Sequence, residues 1–112
     1  MPYLRIQTTA VLDNSPAFLK KASRLVAKEL NKPESYVMVS IEPSSALLFA
    51  GNGEPTAFVE LRAIGLPGTR TAELSRVLCE FVQSELGISK ERVFINFSDV
   101  PANLWGWNGD TF

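Results

Sequence analysis

Apolar and polar residues alternate over residues 3–9, with Leu4, Ile6 and Thr8 on one side and Arg5 and Gln7 on the other. That period of two is the pattern of a half-buried strand. The period then changes. Asn14-Ser15-Pro16 offers a side-chain cap and a proline for a first helical turn, and Phe18, Ala22, Leu25, Val26 and Leu30 follow at helical spacing. The pattern predicts a helix ending near Asn31, which Pro33 keeps from continuing. A second strand is expected over residues 36–41, a loop over 51–55, a third strand over 57–64 and a turn over 65–68. Leu74, Val77, Leu78 and Phe81 mark one face of a second helix that stops at Gly87, and residues 93–97 form a fourth strand.

The two halves repeat one another. PESYVMVSI (33–41) and SKERVFINF (89–97) match position by position in apolar character, so the chain looks like a duplicated βαβ unit. Each crossover is long enough to lay its two strands parallel, and the handedness rule puts both helices on the same side. The expected fold is α+β, with a four-stranded mixed sheet and two helices on one face. The opposite face would carry Arg5, Gln7, Met38, Ser40, Phe94, Asn96 and Ser98, a set too polar for a dry core and too apolar to be simply wet. A symmetric oligomer enclosing a partly solvated interior would suit it and would protect the strand edges.

Composition narrows the function classes. A chain of 112 residues is most simply one domain, 1–112, and small enough for association to help stabilise it. With 11 basic and 12 acidic residues scattered along the chain, no basic stripe for phosphates is expected, hence no nucleic-acid partner. No apolar stretch approaches the roughly 20 residues of a membrane span, and no charged n-region followed by an apolar h-region is found in the first residues, so neither a span nor a signal segment is expected. A cytoplasmic location is the default expectation. The single cysteine, Cys79, has no internal partner for a disulfide and reads as a packing residue. The absence of histidine removes the usual zinc, Ser-His and Cys-His constellations. A proton carrier working near neutral pH would have to be an amine, a carboxyl group of shifted pKa, or something bound. The glycines at 51 and 53 make a loop rather than a phosphate cradle, because no helix N-terminus follows them.

Pro2, directly behind Met1, has two readings. Proline is tolerated as the first residue of a strand, where no ladder donor is needed. If Met1 is removed, Pro2 becomes a secondary amine at the chain start.

Several separated blocks then resemble the macrophage migration inhibitory factor group of the tautomerase superfamily over nearly the whole chain. They are Met1-Pro2, Lys32-Pro33, Gly53-Glu54-Pro55, Ala63-Ile64-Gly65, residues 93–99 (VFINFSD) and the tail 106–112 (GWNGDTF). The resemblance implies a homotrimer of duplicated βαβ subunits around a central barrel, with three active sites at subunit boundaries and no cofactor. Each site would use the amine of Pro2, freed of Met1, to shuttle a proton between carbon and oxygen of an α-keto acid such as phenylpyruvate.

Under that resemblance Lys32 sits beside Pro2 and holds the substrate carboxylate. Burial and a nearby cation both penalise prolinium, lowering its pKa and releasing the lone pair. Taken alone, Lys32 is also a cation where a helix C-terminus favours one. The Ile64 backbone N–H resembles a main-chain donor to substrate oxygen, and Asn96, from the neighbouring subunit, a polar contact to its distal end. Asn96 by itself reads equally as an amide on the solvated sheet face. Apolar walls would come from Tyr3, Phe94, Trp105, Trp107 and Phe112, residue types that are more often core. There are departures as well. Phe94 stands where the animal members carry tyrosine, the Cys-x-x-Cys stretch reads Thr56-Ala-Phe-Val59, and Leu12 and Ser44 occupy two charged positions linked to receptor recognition. The leading reading is a phenylpyruvate-type keto-enol tautomerase. A cytokine-like signalling ligand, with leaderless export, and a trimeric scaffold with a vestigial pocket are the alternatives.

Overall fold

Two strands that alternate cleanly in burial meet two helices on a single face. The computed structural model describes residues 1–112. In β1 (Tyr3–Thr8), Leu4, Ile6 and Thr8 are buried, and in β3 (Ala57–Ala63) every second residue from Ala57 is. β2 (Met38–Pro43) and β4 (Val93–Asp99) lie at the two edges, giving the order β2-β1-β3-β4. β1 pairs parallel with β2 and β3 parallel with β4, while the central β1–β3 pair is antiparallel. Two βαβ units therefore join through their first strands. The sheet is mixed, as the duplicated pattern requires.

Helix α1 (Ser15–Leu30) begins where the Asn14 side chain accepts from the Ala17 N–H at 3.1 Å, and Pro16 occupies the first turn. Phe18, Ala22, Val26 and Leu30, spaced by four, turn inward. Asn31 ends the helix in the left-handed region (φ 52°), where its N–H and that of Lys32 both reach back to the Ala27 carbonyl. Helix α2 (Thr71–Leu86) buries Leu74, Leu78 and Val82 and ends on Gly87 at φ 69°. Both helices cover the same sheet face. The Phe18 and Phe81 rings lie 5.3 Å apart, and Arg70 at the start of α2 donates to the Glu29 carbonyl of α1 at 2.6 Å. The buried apolar residues form one cluster between sheet and helices. Full burial of a side chain such as Leu61 contributes about 1.5–3 kcal/mol. Cys79 is half-buried against this cluster, and burial pushes its thiol pKa up, in keeping with a packing role.

Some boundaries differ from the expected ones. The second strand begins at Met38 rather than residue 36, because Glu34–Tyr36 first form a turn of 3-10 helix with the Tyr36 N–H on the Pro33 carbonyl. β4 runs two residues further than expected, to Asp99, matched to the length of β3. A small hairpin, β5 (Gly106–Trp107) and β6 (Asp110–Thr111), closes the chain. Its turn residues Asn108 and Gly109 both have positive φ, the two-residue geometry that Asn-Gly favours.

A second tight turn, over residues 49–52, overlaps the start of the expected 51–55 loop. Phe49 and Asn52 exchange both backbone hydrogen bonds around Ala50 (φ 53°) and Gly51 (φ 77°). Alanine is strained at such an angle, so something must hold it. Arg92 does so. Its guanidinium donates to the carbonyls of Phe49, Asn52, Glu54 and Pro55 at 3.0–3.3 Å and lies 5.1 Å from the Phe49 ring centre. Thr56 adds a 2.6 Å bond to the Arg92 carbonyl. Arg92→Ala is expected to destabilise the fold by about 1–3 kcal/mol. Arg92→Lys should restore only part of that, since an ammonium lacks the planar fork. Urea midpoints of the three proteins, with amide exchange at residues 49–52, measure it; equal midpoints would remove Arg92 from this role.

Candidate active site

Because β1 is central, the residue before it is enclosed from both sides. Pro2 is buried, and its carbonyl accepts from the Met38 N–H at 3.0 Å, extending the β1–β2 ladder by one step. Pro2 and Tyr3 stand on the wall of a cleft of about 530 Å³ whose lining is mostly apolar. The Tyr3 hydroxyl is 3.0 Å from that of Ser40 on the sheet face turned away from the helices.

The far wall is aromatic. Trp107 and Phe112 stack at 5.6 Å with 13° between their planes, and the Tyr36 ring stands nearly perpendicular to both, at 5.4 and 6.0 Å. The β5–β6 hairpin sets this geometry, and a bond from the Phe112 N–H to the Trp105 carbonyl (3.2 Å) ties the chain end to its base. Tyr3, Trp105, Trp107 and Phe112, expected as walls, are thus brought together around Pro2. The sequence reading missed Tyr36, assigning it to a strand; Pro33 three residues before it signals the turn that aims its ring here. It also missed Leu104 and Arg62, which line the same cleft.

Four expected residues are not on the wall of this cleft. Lys32 is half-buried beyond the αL turn at Asn31, yet its charge reaches the chain start. The pKa of the Met1 α-amino group is lowered, first by burial and then by the Lys32 charge. Ile64 sits in the turn after β3, which is held by the Val100 N–H on the Ala63 carbonyl (2.9 Å) and the Leu66 N–H on Asp99 (3.0 Å). Within the chain the Ile64 N–H has no partner. Phe94 and Asn96 lie on the open sheet face, in the rows of Gln7–Phe58 and Arg5–Glu60, whereas the Pro2 end of the sheet is the row of Tyr3, Arg62 and Ser98. Four residues at about 3.3 Å each separate Phe94 from that row by roughly 13 Å. Its ring packs edge-on against Phe49 instead, at 4.8 Å.

A larger hollow of about 810 Å³ lies towards the opposite end of the sheet, between the β1–α1 connection and β2. Its lining, which includes Leu12 and Ser44, has no ionisable side chain. The Pro2 cleft is where charge, aromatic surface and the chain start coincide.

A family model described as macrophage migration inhibitory factor (MIF) matches residues 1–112. The chain belongs to the MIF family. A MIF homolog of Brugia malayi is 40% identical over 114 residues, covering 100% of this chain and 99% of that protein. The MIF homologue structure from Prochlorococcus marinus is 43% identical with a TM-score of 0.93 over 98% of each chain. The MIF structure of Trichinella spiralis is 36% identical, again with a TM-score of 0.93, over 98% of this chain and 99% of that one. MIF proteins form a branch of the tautomerase superfamily, and the α+β fold with two helices on one face of a mixed sheet is the MIF fold.

An amine with a lowered folded pKa binds its proton more readily in the unfolded chain. Between that lowered value and about 8, its usual value, the unfolded state holds the extra proton, so this group's contribution to stability rises with pH and levels off above about 8. The chain-start amine is expected to titrate below about 8 by NMR, and Lys32→Gln to move the midpoint upward without restoring it fully, since burial is the larger cause. An unmoved midpoint would place Lys32 too far away to matter.

Proposed function

We propose that the chain is a keto-enol tautomerase for α-keto acids of the phenylpyruvate type, with the amine of Pro2 as general base and acid after removal of Met1. The observation that carries this reading is a buried Pro2 at the wall of an aromatic cleft, within the field of Lys32. With Met1 in place the Pro2 nitrogen is a tertiary amide and has no basic lone pair. Freed, it is a secondary amine in surroundings that disfavour a positive charge.

The cycle needs only proton movements. The neutral amine takes the proton from the carbon beside the ketone, and the electron pair of that C–H bond moves to form the enolate. The Ile64 N–H, unpaired in the protomer, suits an oxygen gaining negative charge. Prolinium then returns its proton to the enolate oxygen and is neutral again. Lys32 acts throughout by penalising prolinium and attracting the substrate carboxylate. The aryl ring would lie against Trp107, Phe112 and Tyr36. No step calls for a cofactor.

A neighbouring copy completes the site in this reading. Phe94 and Asn96 are roughly two to four residues along their strand from the Pro2 end, so only another subunit would present them to it. Both sheet edges retain free ladder groups, and the open face is uncovered, which supports the trimer with a central barrel. A cytokine-like ligand of the same fold is the second reading, supported by family membership. The uncharged Leu12 and Ser44, both on the larger hollow, argue against receptor contacts of the charged kind.

Phenylpyruvate enolisation, followed by ultraviolet absorbance on protein whose N-terminus is verified by mass spectrometry, tests the reading. Pro2→Gly is expected to lower kcat/KM by about 10²–10⁴-fold. An uncleaved N-terminal extension should abolish turnover. Full activity in either variant would leave Pro2 a structural residue.

A further inference from the structure

A carboxylate entering the Pro2 cleft leaves water for a largely apolar surface, which is costly unless a cation meets it. One charged side chain lines that cleft, and it is Arg62. Arg62 lies on the open sheet face in the same row as Met38 and Tyr3, which also line the cleft.

The ionic contacts on this face leave Arg62 poorly neutralised. Arg5 bonds to Glu42 and also to Glu60 at 3.4 Å. Glu60 is therefore shared between two guanidinium groups, and Arg62 reaches it only at 3.7 Å, with half of its own side chain exposed. It is the end member of the chain Glu42–Arg5–Glu60–Arg62 and the one that faces the cleft. An exposed pair of this length contributes little to stability, so its guanidinium can exchange partners at small cost. Its planar fork matches a carboxylate with two donors.

We propose that Arg62 is a second carboxylate anchor of the cleft, which acts together with Lys32 to select substrates bearing an anionic group beside the ketone. The proposal rests on the Pro2 reading for its substrate. Lys32 sets the proton affinity at the chain start from outside the cleft wall, and Arg62 grips the anion from within it.

Two measurements test this on the Met1-free protein. Calorimetric titration with cinnamate, an aryl carboxylate with no keto group to enolise, should show about tenfold or greater loss of affinity in Arg62→Ala, partly recovered in Arg62→Lys. Cinnamamide, its uncharged counterpart, should bind both variants as it binds wild type. In steady-state kinetics, Arg62→Ala should raise KM for phenylpyruvate more than it lowers kcat, and should erase the preference for the acid over its methyl ester. Equal losses for cinnamate and cinnamamide would reduce Arg62 to a structural residue, and unchanged cinnamate affinity would leave Lys32 as the sole anchor. Either result overturns the proposal. Failure of the Pro2 reading would show separately, as Pro2→Gly protein of full activity, because the cinnamate titration does not depend on turnover.

Discussion

The chain starts in the middle of its own sheet, and the candidate site follows from that constraint. A first strand at an edge would leave its preceding residue in water. Here β1 is paired with β2 on one side and β3 on the other, so Pro2 enters the fold between two neighbours and is buried within one residue of the terminus. Burial lowers the proton affinity of the Met1 α-amino group beside it, and the charge of Lys32, just past the turn at Asn31, adds to that effect.

The same sheet has two different faces. Under the helices it presents Leu4, Ile6, Val59 and Leu61, nearly dry and closely packed. The other face carries a ladder of opposite charges across β2, β1 and β3, with Phe94 and Met38 exposed beside it. Ion pairs of this exposure stabilise weakly, so the ladder's value lies in where it leaves charge. It ends on Arg62, at the cleft. An apolar fringe borders the charged stripe, and on this face Phe94 and Asn96 lie four and two residues along β4 from the Pro2 end of the sheet.

Tight turns set the aromatic geometry. Asn108 and Gly109 fold the tail back so that Trp107 and Phe112 stack, while Ala50 and Gly51 fold a hairpin that delivers Phe49 to Phe94. The first turn uses residues suited to positive φ. The second does not, and Arg92 offsets its strain with one guanidinium against four carbonyls.

What the sequence determined by itself was local and periodic. Alternation at residues 3–9 and 57–64, and fourfold spacing from Phe18 to Leu30, define which side of each element is apolar, and burial follows those sides closely. The duplicated pattern implied two βαβ units, and the separated family blocks singled out Pro2, Tyr3, Trp105, Trp107 and Phe112, which line one cleft. Signals a few residues long go with two further turns: Pro33 precedes the Glu34–Tyr36 turn, and Asn108-Gly109 forms the turn of the final hairpin. Tertiary structure alone decided which residues share the cleft. Arg62 is sixty residues from Pro2 and reaches it only because β3 runs antiparallel to β1 in a register that sets Arg62 opposite Tyr3. Phe94 and Asn96 are held away by the same register. Strand pairing is a long-range choice among many apolar partners of similar worth, so periodicity tells which way a side chain faces, and only the assembled sheet tells what it faces.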